Sequence, residues 1–140
     1  MQNFIIKTHQ KGKTYSKPHL FLLNKGLNSG KPQKEPFTNG FVIQFSNPND
    51  AETIYWLAYS LWKSEFWQIH LVGSVIPFLR LSAFKKDFTA KVQMMFQDLE
   101  QHQKKVQALR LLEVQEEHFR KNIILIAEMR RVILQRYCEQ

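Results

Sequence analysis

The chain has 140 residues, 44% hydrophobic and 23% charged, values ordinary for one globular domain. Its formal charge of +8 favours anionic partners such as nucleic acid or acidic surfaces. A single cysteine, Cys138, excludes an internal disulfide and a thiolate-rich metal centre.

No targeting or spanning segment is expected. Phe4-Ile5-Ile6 is too short for a signal sequence, and Lys7 ends it. The longest apolar run, Ile69 to Leu79, is interrupted by His70, Gly73, Ser74 and Pro77 and is too short to cross a bilayer. The expectation is a soluble cytoplasmic protein with no membrane partner. The charge is uneven. Residues 1–50 hold seven lysines against Glu35 and Asp50, a net +5. Every glycine and proline lies before residue 78, so a turn-rich front precedes a helical back.

In chain order, Phe4–Thr8 reads as a first strand and Leu20–Leu23 as a second. Phe41-Val42-Ile43-Gln44-Phe45 is the clearest strand, and its near-continuous apolar character predicts burial on both faces. Asn47-Pro48-Asn49-Asp50 is a helix start: Asn47 can cap, Pro48 suits the first helical position, and Asp50 and Glu52 suit the positive end of the dipole. The helix is expected over about 48–64, apolar nearly all round and central to the core. Phe66 to Val72 and Val75 to Leu79 read as two more strands around Gly73-Ser74, the second irregular because of Pro77. Ser82 is the expected cap of a long helix beginning at Ala83.

Beyond that point the apolar residues recur at helical spacing. One register runs Phe88, Val92, Met95, Leu99, His102, Val106 and Leu109. A second runs Leu112, Glu116, Phe119, Ile123, Ile126, Arg130, Ile133 and Tyr137. Two readings stand: a fold-back within Gln97–Lys105 giving a helical hairpin, or a long helix that pairs with another subunit. The first is preferred, because Glu116 and Arg130 occupy inward positions. Asp87–Lys91, Glu100–Lys104, Glu116–Arg120 and Glu117–Lys121 are i, i+4 pairs with the acid first, the pattern of a solvated helix surface.

The chemistry-bearing candidate is the stretch Asn24-Lys25-Gly26-Leu27-Asn28-Ser29-Gly30-Lys31-Pro32. Backbone N–H groups around Gly26 and Gly30, beside two lysines, are what an anionic oxygen needs. A nucleotide-hydrolysis loop is excluded, since only three residues separate the glycines and Pro32 replaces the metal-holding hydroxyl. What remains is an anion or nucleic-acid site of Lys25, Gly26, Asn28, Ser29, Gly30 and Lys31, weighed against an ordinary solvated turn. Lysines 7, 11, 13, 17 and 34, interleaved with Tyr15, Phe21 and Phe37, could extend it. Tyr55, Tyr59, Trp62 and Phe66 share one helical face, which reads as core before it reads as a stacking platform. The histidines at 9, 19, 70, 102 and 118 have no metal-ligand spacing, and Ser29 and Ser74 sit in no nucleophile motif. No catalytic residue, metal or cofactor is expected.

Leu23 to Pro32, Tyr55-Trp56-Leu57 through Leu61-Trp62, and Gly73-Ser74-Val75-Ile76-Pro77-Phe78, in that order, resemble a family of small uncharacterised proteins of anaerobic gut bacteria. The resemblance covers roughly residues 20–85 and implies a link to mobile genetic elements; it carries no assigned activity. The expected fold is a single α+β domain over 1–140. It has a small, mostly antiparallel sheet and a buried aromatic helix within 1–80, and a helical part over 82–137. The leading expected function is a non-enzymatic accessory protein binding nucleic acid or another polyanion through the glycine loop. The alternative is a protein–protein adaptor or homo-oligomer built on the C-terminal helices.

Overall fold

The computed structural model describes residues 4–38 and 40–139. Four strands form one antiparallel sheet: β1 (Phe4–Thr8), β2 (His19–Leu22), β3 (Pro32–Gln33) and β4 (Phe41–Phe45), in the order β1-β4-β2-β3. The apolar β4 is central because it alone has two long neighbours to pair with. Phe41, Val42, Ile43 and Phe45 are each 1% exposed or less, so its burial on both faces is as expected.

Register sorts the side chains. Ile43 lies opposite Ile6 on one side and Leu20 on the other, and Phe41 lies opposite Leu22; these face the helices. Val42 lies opposite Lys7 and Phe21, on the other face. Because side chains alternate along a strand, the sheet has an apolar inner face and an outer face of mixed character.

The helix α1 (Pro48–Lys63) starts as expected. The Asn47 side chain accepts from the Asn49 N–H at 3.0 Å, Pro48 sits in the first turn, and Ser64 ends the helix. Its buried residues are Ile54, Trp56, Ala58 and Leu61. The helix α2 (Leu81–Gln97) buries Phe84, Phe88, Val92 and Met95. These residues close the core with Trp67, Leu79 and the inner face of the sheet. Phe84 anchors it, stacked on Phe88 and in ring contact with Phe41 and Trp67.

Two expectations are corrected. Residues 66–72 and 75–79 are not strands: Phe66–His70 is a 3-10 helix, and beyond it there are only single bridges pairing Phe78 with Val72 and with Lys25. The cause is a reversal at Glu65, which takes a left-handed conformation at φ 61° and drives Trp67 into the core at 1% exposure. The second helix also starts earlier than Ala83. Arg80 occupies the cap position without a side-chain bond, and the Phe84 N–H donates to the Arg80 carbonyl at 3.0 Å, leaving Ser82 inside the first turn.

The helical back half is broken at Asp98, whose φ of −136° and ψ of 62° end α2. The break falls within the stretch where a fold-back was expected. From there α3 runs as a helix of 37 residues, Leu99–Gln135. The chain forms two compact units that divide between Leu99 and Glu100. In the second unit every described residue from 110 onward is exposed. Among the described residues no helix is long and apolar enough to cross a membrane.

Candidate functional site

The glycine loop connects β2 to β3, and its geometry follows from two positive-φ glycines. Gly26 sits at φ 82° and Gly30 at φ 91°, where L side chains are strained. These turns allow the loop to close on itself. The Gly30 N–H donates to the Leu23 carbonyl at 2.6 Å, and the Leu23 N–H returns to Lys31 at 3.0 Å. The Gly26 carbonyl accepts from the Ser29 N–H at 3.2 Å and from the Ser29 hydroxyl at 2.6 Å. The Lys31 N–H donates to Asn28 at 3.0 Å. Ser29 is thereby 1% exposed, a structural hydroxyl.

The loop is also tied to the distant segment after the 3-10 helix. The Gly26 N–H donates to the Pro77 carbonyl at 2.7 Å, and the Leu79 N–H donates to Asn24 at 2.8 Å. The Gln68 side chain donates to the Leu27 carbonyl at 2.9 Å. Gly30 faces the indole of Trp67 so closely that an added Cβ would lie 2.3 Å from its Cδ1. Two of the segments that carry the family resemblance, 23–32 and 73–78, therefore meet in one brace with the 3-10 helix, and structure alone accounts for the positive φ of Gly26, the buried Ser29 and the close approach at Gly30. Two buried polar atoms sit near this brace in sequence without a protein hydrogen-bond partner, Asn24 Oδ1 and Trp67 Nε1.

The expected amide cradle is altered by these bonds. The N–H groups of Gly26, Ser29, Gly30 and Lys31 all donate to carbonyls of the fold, so these four are not offered to an anion. Lys25 and Asn28 are exposed, and Lys31 is half-buried. Lys31 Nζ lies 5.1 Å from the centre of the Trp62 ring, and Lys63 Nζ lies 4.8 Å from the same ring. Two ammonium groups thus lie at one half-exposed indole, an arrangement that holds cations by the ring quadrupole.

Sequence reasoning missed Lys63, although it follows Trp62 directly. It also placed the Tyr55–Tyr59–Trp62 face in the core. The structure leaves these rings half-buried: Tyr55 packs against the core, as Phe66 of the same expected face does, while the innermost side of α1 is taken by Ile54, Ala58 and Leu61. Tyr55 stacks on Tyr59 with ring centres 6.4 Å apart, and Tyr59 meets Trp62 edge-on at 5.8 Å.

A second lysine–aromatic cluster lies on the outer sheet face. Tyr15 contacts His9, His19 and Phe21, and its hydroxyl shares a 2.9 Å hydrogen bond with His9 Nδ1. Lys7 and Lys13 lie over the Tyr15 ring at 5.5 and 6.0 Å. Desolvation first, and the neighbouring Lys13 charge second, hold the Lys7 ammonium below the usual lysine range. Periodicity could not reveal this cluster, because the loop at 9–18 has none.

The third feature is α3. Leu112, Phe119, Ile123, Ile126, Ile133 and Tyr137 are all more than half exposed, as are Leu111, Val114, Leu125, Met129 and Val132. The first set forms a stripe at steps of three and four along one side of the helix, and the second forms another about a third of a turn round from it. Arg120 pairs with Glu116, and Lys104 with Glu100 at 3.5 Å. Among the described residues there is no cluster of three or more His, Cys, Asp or Glu that could hold a metal ion.

The fold and these surfaces define a small α+β protein with a braced loop and an apolar C-terminal helix. Residues 6–136 match the model of a family of unknown function (DUF6943), and the chain belongs to that family. Neither the curated proteins nor the solved structures provide a match.

Proposed function

We propose that this is a non-catalytic assembly protein that associates with another polypeptide chain through α3. The observation that carries this is the exposure of the α3 stripe: Phe119 is 62%, Ile123 66% and Ile133 56% exposed. Contiguous apolar surface on this scale marks an interaction site. Helix residues that contact nothing gain little from their own chain, so a partner must supply the burial. The test is the mass in solution by light scattering. Wild-type protein is expected above the 16.7 kDa of one chain, and Phe119→Asp with Ile126→Asp is expected at the monomer mass. A wild-type monomer with no affinity for a hydrophobic dye would sink the proposal.

A second reading is favoured by the Lys31–Trp62–Lys63 arrangement. A half-exposed indole beside two lysines can stack a base while the lysines meet phosphates, which supports binding of nucleic acid or another polyanion beside the glycine loop. Replacing Lys25, Lys31 and Lys63 by alanine is expected to weaken binding of a mixed-sequence single-stranded oligonucleotide. The slope of log affinity against log salt should fall by about one for each lysine that meets a phosphate. Equal affinity in the triple variant would remove the site. The family resemblance supports the further reading of an accessory protein of bacterial mobile elements, and the lone cysteine supports a cytoplasmic setting.

A further inference from the structure

Resting on the assembly reading, we infer that the partner of α3 is a second copy of the same chain, and that the two helices pair antiparallel. Three observations on α3 carry this.

The first is charge. Glu113, Glu116 and Glu117 make residues 113–117 net −3, and Arg130, Arg131 and Arg136 make residues 130–136 net +3. A parallel pair would set acid against acid and base against base along its length. An antiparallel pair sets the acidic run 113–117 of each copy, which Arg120 and Lys121 follow on the same helix, near the basic run 130–136 of the other, twice over, as a two-fold interface requires.

The second is register. The seam steps by alternating threes and fours, antiparallel packing opposes the two kinds of seam position, and the alignment centred between Ile123 and Ile126 is the one that covers the whole stripe from Leu112 to Tyr137. Ile123 meets Ile126 of the second copy at the centre. Phe119 meets Arg130 of the second copy, and Glu116 meets Ile133 of the second copy. Glu116 then stands one layer, about 4.5 Å along the axis, from the Arg130 guanidinium of the second copy. The two charged residues that interrupt the apolar seam are thereby brought near each other, with Glu116 also held by Arg120 of its own helix. In a parallel pair each would face its own like.

The third is shape. A shallow groove on α3 is lined by Ile126, Met129, Arg130, Ile133 and Leu134. It is the kind of hole that a coiled-coil knob fills. The antiparallel alignment delivers Phe119, the largest apolar side chain of the seam, to this groove, with its ring against the Arg130 guanidinium. From Leu112 to Tyr137 the paired stripes are long enough to bury on the order of 1,200 Å², the lower end of a stable interface.

The experiment uses full-length protein. Glu116→Arg and Arg130→Glu are each expected to weaken self-association about tenfold by sedimentation equilibrium, and the double reversal E116R/R130E to restore it. A parallel pair gains nothing from the double reversal. In a Cys138→Ser background, Leu112→Cys and Tyr137→Cys chains are also oxidised, separately and mixed, with one carrying a mass tag. Disulfide formed only in the mixture supports the inference. Disulfide formed by either chain alone, or a double reversal that restores nothing, overturns the antiparallel pairing and leaves the assembly reading standing. A wild-type chain that stays monomeric at about 100 μM, well above typical dissociation constants of stable complexes, overturns the inference and self-association with it.

Discussion

Gly26 and Gly30 show why two glycines in one loop are not equivalent. Both have positive φ, but a Cβ at Gly26 meets nothing within 4 Å, whereas at Gly30 it meets the buried Trp67 indole at 2.3 Å. Gly26→Ala carries only the backbone strain, about 1 kcal/mol. Gly30→Ala adds overpacking against a core side chain, for a total of about 3 kcal/mol or more. Urea unfolding of the two variants checks the order; equal midpoints would show that the brace does not depend on Trp67. Lys7 gives a second residue-scale test. With Lys13→Met, both the charge and the side-chain hydrogen bond by which Lys13 lowers the Lys7 pKa are gone while desolvation, the largest cause, remains. The Lys7 titration, followed by NMR at its Nζ, should move up toward the ordinary lysine value. Its sign is fixed: a depressed lysine binds protons more weakly when folded, so stability rises with pH through the window below the unfolded value. Lys13→Met should flatten that rise.

Among the elements, α1 and α2 differ in how their starts are made. The Asn47 cap is a side-chain bond to the Asn49 N–H. Asn47→Ala should therefore lower stability by about 1 kcal/mol, read as a drop in thermal midpoint. The expected Ser82 cap of α2 is not used, so Ser82→Ala should leave the midpoint nearly unchanged. The contrast explains what was readable. Asn-Pro-Asn-Asp is a local signal whose bonds close within a few residues. The start of α2 is set by Leu79, 1% exposed and bonded through its N–H to Asn24, a partner that no local pattern reveals. The same holds for residues 66–79. Their apolar content reads as strand, but the left-handed turn at Glu65 and the burial of Trp67 make a 3-10 helix instead.

At the scale of the molecule, the two units bury apolar surface very differently. The first holds the continuous core of sheet, α1 and α2. The second contains the stretch of α3 that leaves its large side chains open. Removing that surface should alter association without unfolding the first unit. Phe119→Asp/Ile126→Asp protein is expected to keep the near-ultraviolet signal of the core aromatics while its mass in solution falls to that of one chain. A lost near-ultraviolet signal would mean that the stripe supports the core.

The sequence by itself determined the strands at 4–8 and 41–45, the capped start of α1, the helical back half and the excess of positive charge at the front. These depend on alternation, capping and composition, which act between near neighbours. It also displayed the charge separation along α3, since charges are read directly. Only the tertiary structure decided where several of the glycine loop's N–H groups go, that Lys31 joins Lys63 at the Trp62 ring, and that the second apolar register stays uncovered from residue 110 onward. Each of these depends on which surfaces meet after the chain folds, and apolar periodicity alone does not say whether a helix buries its stripe in its own core or offers it to another chain.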